Sequence, residues 1–257
     1  MDEQGTANLP EQQRGWSWFP ESGFARTLLE IMIIVPAYAL YQLVRGTVDG
    51  RTSDAFAHTS QIIDVERTLH IFWEAELQSL ALTTGFLSVL ANTMYVWGHL
   101  PLIICVAIWI FSFHRSRYPL FRNAFLISGG IALFFFWLTP VAPPRYLQYW
   151  GFVDTTVEST SYYFFQSPAF VNQYAAMPSL HFGWSLLAAT AIYANVQSRY
   201  RYFAFVLPFL TLCGVVLTGH HFFLDVAAGG AVAMAGLGIA FLLRTYLPRY
   251  KPFTVLT

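Results

Sequence analysis

The sequence predicts an all-α, polytopic membrane protein, built as a six-transmembrane-helix bundle with an outer amphipathic or re-entrant segment. Of its 257 residues, 56% are hydrophobic and only 11% are charged, whereas a soluble domain carries about 25% charged residues. The apolar residues also fall into long runs separated by polar stretches. In lipid, the backbone polar groups of a segment must be satisfied within it, so these runs are expected to be helices.

The predicted spans follow the apolar runs in order along the chain. A hydrocarbon core of about 30 Å takes about 20 helical residues to cross, and six runs approach or exceed that length. The spans are residues 27–44, 96–113, 123–138, 180–196, 202–218 and 222–243.

Basic residues outside the spans predict the orientation of the chain. Residues 1–26 are polar and rich in Gln and Glu, and we expect a cytoplasmic tail here, followed by a single membrane-embedded catalytic domain over residues 27–257. With the tail inside, the inner stretches carry ten Lys and Arg residues and the outer stretches carry four. Cytoplasmic segments are enriched in Lys and Arg, so both termini are expected in the cytoplasm of a multi-pass cell-membrane protein.

A further apolar stretch, residues 78–95, is the ambiguous part of this topology. If it crossed the membrane, either the basic loop 114–122 or both Arg14 and Arg26 would lie outside. We therefore predict a re-entrant or interfacial segment. Residues 64–78, just before it, mix apolar and acidic residues and predict an amphipathic helix along the outer surface.

Charge and cysteine content exclude other classes of protein. Fourteen Lys and Arg balance fourteen Asp and Glu, which argues against the basic surface of a nucleic-acid-binding protein. Cys105 and Cys213 lie in apolar runs, with no spacing that indicates a disulfide or a metal site. The expected partners are the lipid bilayer and a membrane lipid substrate, and the oligomeric state is left open.

Polar residues gather at the predicted outer ends of three spans. Arg145 follows the third span, Ser179 and His181 open the fourth, and His221 and Asp225 open the sixth. Ionisable groups within membrane helices are costly and are usually functional. These residues are therefore the candidate site, delivered to one membrane level by three segments far apart in sequence.

The spacing of these residues predicts phosphoryl transfer. His221 and Asp225 are four residues apart and share a helix face, so the carboxylate is expected to accept a hydrogen bond from the imidazole and orient it as a nucleophile. His181 is suited to protonate a leaving alkoxide. Arg145, the Ser179 hydroxyl and the amides at the helix starts would hold a phosphate. This chemistry calls for no metal and no cofactor.

Other readings of the same residues stay open. His221 and Asp225 can form a purely structural buried pair, and His99 can be a buried hydrogen-bond anchor or a substrate contact. The outer segment 142–177 fits an aromatic belt at the interface as well as a lid over the site. A non-catalytic transporter and a metal oxidase are alternative functions, and the possible ligands for the oxidase are His181, His220, His221 and Asp225.

The two histidine motifs resemble those of the type 2 phosphatidic acid phosphatase superfamily. Pro178-Ser179-Leu180-His181 looks like its second motif, and His221 followed by Asp225 looks like its third. The doubled histidine at 220–221 is similar to the corresponding motif of the inositol phosphorylceramide synthase branch of this superfamily. The resemblance implies a six-helix fold, a phosphohistidine on His221, Asp225 as its partner and His181 as acid and base.

Arg145 matches the arginine of the family's first motif, but two other motif cations are absent. Leu138 stands where the family has a lysine, and Val215 stands where it has an arginine. We hypothesise that His220, Tyr146 or His99 replaces the lost phosphate contacts. The acceptor of the phosphoryl group, either water or a polyol such as inositol, is left open by the sequence.

Overall fold

The computed structural model describes residues 23–48, 50–155 and 172–246, and in these ranges the chain is helical without β-strands. This confirms the predicted all-α class. The nine α-helices of the described residues are α1 (Gly23–Val48), α2 (Thr52–Thr68), α3 (Glu74–Thr84), α4 (Phe86–Trp97), α5 (Leu100–Phe113), α6 (Tyr118–Leu138), α7 (Leu180–Asn195), α8 (Val206–Leu217) and α9 (Phe223–Tyr246). Most of the predicted 1–26 tail lies outside the described residues.

The predicted count of six spans is not confirmed by helix length. Four segments of the described chain are long and apolar enough to cross a membrane, or five if the bent pair α3 and α4 counts as one. The four are Thr27–Val48, Tyr118–Leu138, Arg199–Leu217 and Phe223–Tyr246. Helices α5 and α7 have 14 and 16 residues. At 1.5 Å per residue these correspond to about 21 and 24 Å, less than a hydrocarbon core of about 30 Å.

Helices α1 and α6 run in the same direction. Near their starts, Arg122 Nη1 lies 2.6 Å from Glu30 Oε1, and the Tyr118 hydroxyl donates to Glu30 Oε2 at 2.9 Å. Near their ends, Arg51 donates to the carbonyl of Trp137 at 2.5 Å. Helix α5 joins α6 through a short turn. Phe111 near the end of α5 packs against Tyr118 at the start of α6, whereas Leu100 at the start of α5 lines the same cavity as Phe136 near the end of α6, so α5 runs the opposite way. The segment between α1 and α5 therefore begins and ends at the same end of the bundle.

This geometry favours the re-entrant interpretation of residues 78–95. Helices α3 and α4 meet at Gly85 with a bend of 114°, and Gly85 adopts a positive φ of 62°, which glycine tolerates because it lacks a Cβ. A bend of this size turns the chain back toward the end it came from.

The predicted continuous helix over residues 64–78 is wrong. Helix α2 ends at Thr68, and α3 begins at Glu74. His70 has a φ of 57°, and the amide of Ile71 donates back to the carbonyl of Glu66 at 2.9 Å, as in a helix C-terminal cap. Glycine is the usual residue at such a cap, so a histidine gave no signal of the break.

Two glycines allow α7 and α9 to cross closely. A Cβ on Gly229 would lie 2.1 Å from the carbonyl oxygen of Ser179, and a Cβ on Gly183 would lie 2.5 Å from the carbonyl oxygen of Gly229. Only hydrogen fits at these positions. The crossing brings the first turn of α7, which carries His181, close to α9, which begins two residues after His221.

Candidate active site

The predicted histidines meet in one cavity at the end of the bundle where α7 and α9 begin. The cavity has a volume of about 570 Å³ and extends from this polar end along apolar side chains of α1 and α6. Five chemically active side chains line it, namely His99, Arg145, His181, His220 and His221. All five were candidates from sequence.

The environment of His221 fixes the protonation of its ring. Its Nδ1 lies 2.8 Å from the carbonyl oxygen of Ala176 and 3.5 Å from Asp225 Oδ2. A carbonyl oxygen only accepts hydrogen bonds, so Nδ1 carries the proton of the neutral ring and Nε2 carries the lone pair. The nearer acceptor is therefore Ala176 rather than the Asp225 carboxylate expected from the spacing.

Asp225 is fully buried, and its carboxylate also accepts a hydrogen bond from the backbone. Oδ2 accepts the amide of Phe222 at 2.8 Å, while the carbonyl of Asp225 accepts the amide of Ser179 at 2.9 Å. The residue thus ties the first turn of α9 to the first turn of α7 and places a negative charge beside the His221 ring.

The two predicted catalytic histidines contact each other directly. His221 Nε2 lies 3.3 Å from His181 Nδ1. Since Nε2 of His221 holds a lone pair, Nδ1 of His181 is the donor of this hydrogen bond. A proton on one ring therefore faces the lone pair of the other.

Aromatic rings surround this pair on the side of α4. The Tyr95 ring stacks on His220 at a centroid distance of 3.8 Å and on His181 at 4.8 Å. The His99 ring lies 4.2 Å from that of His181. Tyr95 and His99 are four positions apart in an apolar run, and this spacing is the sequence signal that indicates Tyr95 as a site residue along with His99.

His220 and His221 are adjacent but have different surroundings. His220 Nδ1 lies 2.8 Å from the Thr218 hydroxyl oxygen, and that hydroxyl itself donates to the carbonyl of Gly214 at 2.7 Å. His220 therefore donates to Thr218. Burial lowers the pKa of His220 well below its ordinary value, and the cationic Arg145 adds to this shift. His220 is thus a neutral ring at pH 7.

Arg145 is the cation of the cavity and is held by the outer segment. Its Nε lies 3.3 Å from Asp154 Oδ2, and its Nη2 donates to the Tyr146 hydroxyl at 3.2 Å. Its backbone amide donates to the carbonyl of Gly219 at 2.7 Å, which attaches the arginine to the loop before His221. Tyr146 itself does not line the cavity in the described chain.

Ser179 is the N-cap of α7. Its hydroxyl accepts the amide of Phe182 at 3.5 Å, and the residue is fully buried. It does not belong to the lining of the cavity in the described chain. A phosphate contact by Ser179 stays a prediction.

The outer segment 142–177 is described only at its two ends, and the aromatic run at 162–165 lies outside the described residues. Ala176 donates its amide to the carbonyl of Val141 at 3.2 Å, and Val141 donates to the carbonyl of Tyr174 at 2.8 Å. This short bridge fixes the Ala176 carbonyl against His221. The described residues contain no group of three or more His, Cys, Asp or Glu side chains arranged to hold a metal ion.

The structure is an apolar helical bundle in which two histidines meet in a cavity. Comparison of the sequence with known protein families is consistent with this arrangement. The profile of the PAP2 superfamily matches residues 60–239, so this chain belongs to the PAP2 superfamily. It is 29% identical over 189 residues to the inositol phosphorylceramide synthase catalytic subunit aur1 of Schizosaccharomyces pombe, with 64% of this chain and 43% of that protein covered. The chain thus spans less than half the length of this relative. No solved structure matches.

Proposed function

We propose that this protein is an integral-membrane lipid phosphatase or phosphotransferase that cleaves a phosphoester bond through a phosphohistidine on His221. Membership of the PAP2 superfamily and the aur1 relative support the general class. The observation that carries the mechanism is the 3.3 Å contact between His221 Nε2 and His181 Nδ1 within the cavity.

In the first step, the substrate phosphate enters between the His221 and His181 rings and breaks the hydrogen bond that joins them. The Nε2 lone pair of His221 attacks phosphorus, the bond to the lipid oxygen breaks, and His181, in its cationic form with both ring nitrogens protonated, gives its Nδ1 proton to the departing alkoxide and becomes neutral. The phosphorylated His221 ring is then cationic, with Nδ1 still protonated. The Ala176 carbonyl and the Asp225 carboxylate stabilise that charge.

In the second step, neutral His181 acts as base. It takes the proton of a water or alcohol whose oxygen attacks phosphorus, and the bond from phosphorus to Nε2 breaks to restore the His221 lone pair. Arg145 holds the phosphate oxygens through both steps, because its charge lies in the cavity with the histidines. His99, His220, Tyr146 and Ser179 are further proposed substrate contacts.

The apolar part of the cavity suits the acyl chains of a lipid. Ile34 and Ala37 from α1 and Phe125 and Leu133 from α6 line this part of it. An apolar cleft with polar groups at one end accommodates a molecule that has an apolar chain and a charged head. The substrate is therefore a membrane lipid phosphate or a phospholipid, whose chains extend toward α1.

The acceptor is water in a phosphatase and an alcohol in a transferase. The name of the aur1 relative describes a product that joins inositol, phosphate and ceramide, which favours transfer to or from a polyol-bearing lipid. We also propose that the site lies at the outer face, with both termini in the cytoplasm, and the surplus of basic residues on the other side supports this orientation.

Purified protein in detergent micelles tests this function. The substrates are phosphatidic acid and phosphatidylinositol labelled at phosphorus, each supplied with water alone, with inositol or with ceramide. Wild type is expected to release labelled phosphate or to form a labelled transfer product, and acid-labile label should remain on the protein after rapid quenching. His221→Ala is expected to abolish both, with at least about a thousandfold loss of turnover.

His70→Asn is the matched control, because His70 is exposed and its positive φ suits asparagine. It is expected to retain wild-type turnover. Full activity of His221→Ala would contradict the mechanism. Absence of turnover by wild type on both lipids would contradict the proposed function.

A further inference from the structure

Three consecutive backbone amides at the start of α9 each donate to a different carboxyl group. Phe222 donates to Asp225 at 2.8 Å, Phe223 to Glu74 at 2.9 Å and Leu224 to Glu66 at 2.7 Å. The first amides of a helix have no partner within the helix. Here they are satisfied by one local carboxylate and by two that arrive from α2 and α3.

Glu66 and Glu74 are fully buried, although glutamate is rarely so. The helix break at His70 separates the end of α2 from the start of α3. The chain turns there, so both glutamate side chains reach the start of α9. The two carboxyl groups are also close enough to share a hydrogen bond.

A hydrogen bond between two carboxyl groups needs one proton. Burial raises the pKa of Glu66 far above its ordinary value, and the neighbouring acids Glu74 and Asp225 raise it further. Burial also raises the pKa of Glu74. The second oxygens of Glu66 and Glu74 are buried with no hydrogen-bond partner among the described residues, and one proton shared between the two carboxyl groups would satisfy both.

Neither glutamate lines the cavity of the described chain, so neither can contact the substrate there. Both contact the backbone that follows His221 directly, in the turn that also carries Asp225. We propose that Glu66 and Glu74 are positioning residues, which hold the first turn of α9 so that the His221 ring meets His181 and the Ala176 carbonyl in the reactive geometry. This inference rests on the proposed function only through its activity assay.

The experiment compares three substitutions of Glu66. Glu66→Ala removes the acceptor of the Leu224 amide and is expected to lower kcat about 10- to 100-fold, as a small displacement of a reacting group does, with KM within about twofold. Glu66→Gln keeps an acceptor for Leu224 and supplies an N–H donor to Glu74, so it is expected to restore kcat to within about threefold of wild type. Glu66→Asp keeps the acid but shortens its reach and is expected to lower kcat.

Glu76→Ala is the control, because this glutamate lies on the same helix as Glu74 but is exposed. It is expected to behave as wild type. A second readout is hydrogen–deuterium exchange of the peptide around residues 220–227. Exchange is expected to be faster in Glu66→Ala and Glu66→Asp, and as slow as wild type in Glu66→Gln.

Wild-type kcat in both Glu66→Ala and Glu66→Asp would overturn the proposal. A Glu66→Gln variant as impaired as Glu66→Ala would also overturn it. That result would show that an acceptor for the Leu224 amide is not sufficient to maintain kcat. If Glu66→Ala does not fold, Glu66→Asp and Glu66→Gln decide between these outcomes. If wild type has no turnover on either lipid, the proposed function fails, whereas the exchange measurement still tests the positioning role.

Discussion

At the residue scale, one turn of backbone assigns different roles to two adjacent histidines. Gly219 precedes them with a φ of 68°, a conformation that favours glycine. A Cβ there would also lie 2.8 Å from Gln78 Nε2. The turn directs His220 to Thr218 and Tyr95, whereas His221 faces Ala176 and His181. In the proposed mechanism, hydrogen-bond partners rather than residue type therefore decide which of the two histidines is the nucleophile.

The crossing of α7 and α9 gives a prediction for Gly229. Gly229→Ala places a methyl group 2.1 Å from the Ser179 carbonyl, and because this neighbour is backbone, the two helices must separate. We expect a loss of stability of about 1–3 kcal/mol and a fall in kcat, since the separation moves His181 away from His221. Thermal unfolding in detergent and the lipid assay measure the two effects.

Gly238→Ala is the control for this substitution on the same helix. A Cβ at Gly238 meets nothing within 4 Å, and alanine is favoured over glycine inside a helix by about 1 kcal/mol. This variant is expected to be at least as stable as wild type and fully active. Equal behaviour of the two alanine variants would show that close helix contact at Gly229 is not required.

At the element scale, α1 is attached to the bundle by a buried ion pair far from the histidines. Glu30 and Arg122 are both less than 10% exposed, and Glu30 also accepts the Tyr118 hydroxyl. The middle of α1 forms one wall of the cavity. If the cavity binds the lipid as proposed, we expect the ion pair to affect substrate binding through the position of this wall.

Removing one member of the pair tests this attachment. Arg122→Ala leaves Glu30 buried without its cation, and we expect a loss of about 3–5 kcal/mol in the free energy of unfolding. The KM for the lipid is expected to rise while the chemistry at His221 is retained. Unfolding in denaturant and steady-state kinetics are the measurements.

The double variant Glu30→Gln/Arg122→Met removes both charges and is expected to be more stable than Arg122→Ala, because no unpaired charge remains buried. If Arg122→Ala were as stable as wild type, the ion pair would not be what holds α1 against α6.

The sequence predicted most helices because their apolar runs are long and uninterrupted. It also predicted that His181 and His221 meet, because chain direction alone brings the starts of both helices to one end. It did not predict the break at His70, where a histidine takes a conformation usual for glycine. Nor did it predict the Ala176 carbonyl as the partner of His221, because backbone contacts between distant segments leave no pattern of residue types.

At the scale of the whole molecule, the directions of the helices determine on which side each loop lies. Because α1 and α6 run in parallel, the loops after α1 and after α6 lie at the same end, and the turn between α5 and α6 lies at the other. The alternative, in which the bent pair α3 and α4 crosses the membrane, would put the loops after α1 and after α6 on opposite sides.

Single cysteines distinguish these two topologies. In a background with Cys105 and Cys213 replaced by alanine, we would introduce Gly50→Cys, Ser116→Cys and Tyr149→Cys, all at exposed positions in loops or turns. Intact cells are then treated with a maleimide that does not cross membranes. Gly50→Cys and Tyr149→Cys are expected to react, whereas Ser116→Cys is expected to react only after permeabilisation.

The reactivity of position 50 relative to position 149 decides whether residues 78–95 are re-entrant, because these two loops share a side only if the segment between α1 and α5 does not cross. The reactivity of position 116 relative to both gives the orientation, since a basic turn is expected on the cytoplasmic side. Labelling of Gly50→Cys without labelling of Tyr149→Cys would mean that α3 and α4 form a broken span. Labelling of Ser116→Cys alone would mean that positions 50 and 149 still share a side, but that this side is the cytoplasmic one. The histidines would then lie at the inner face.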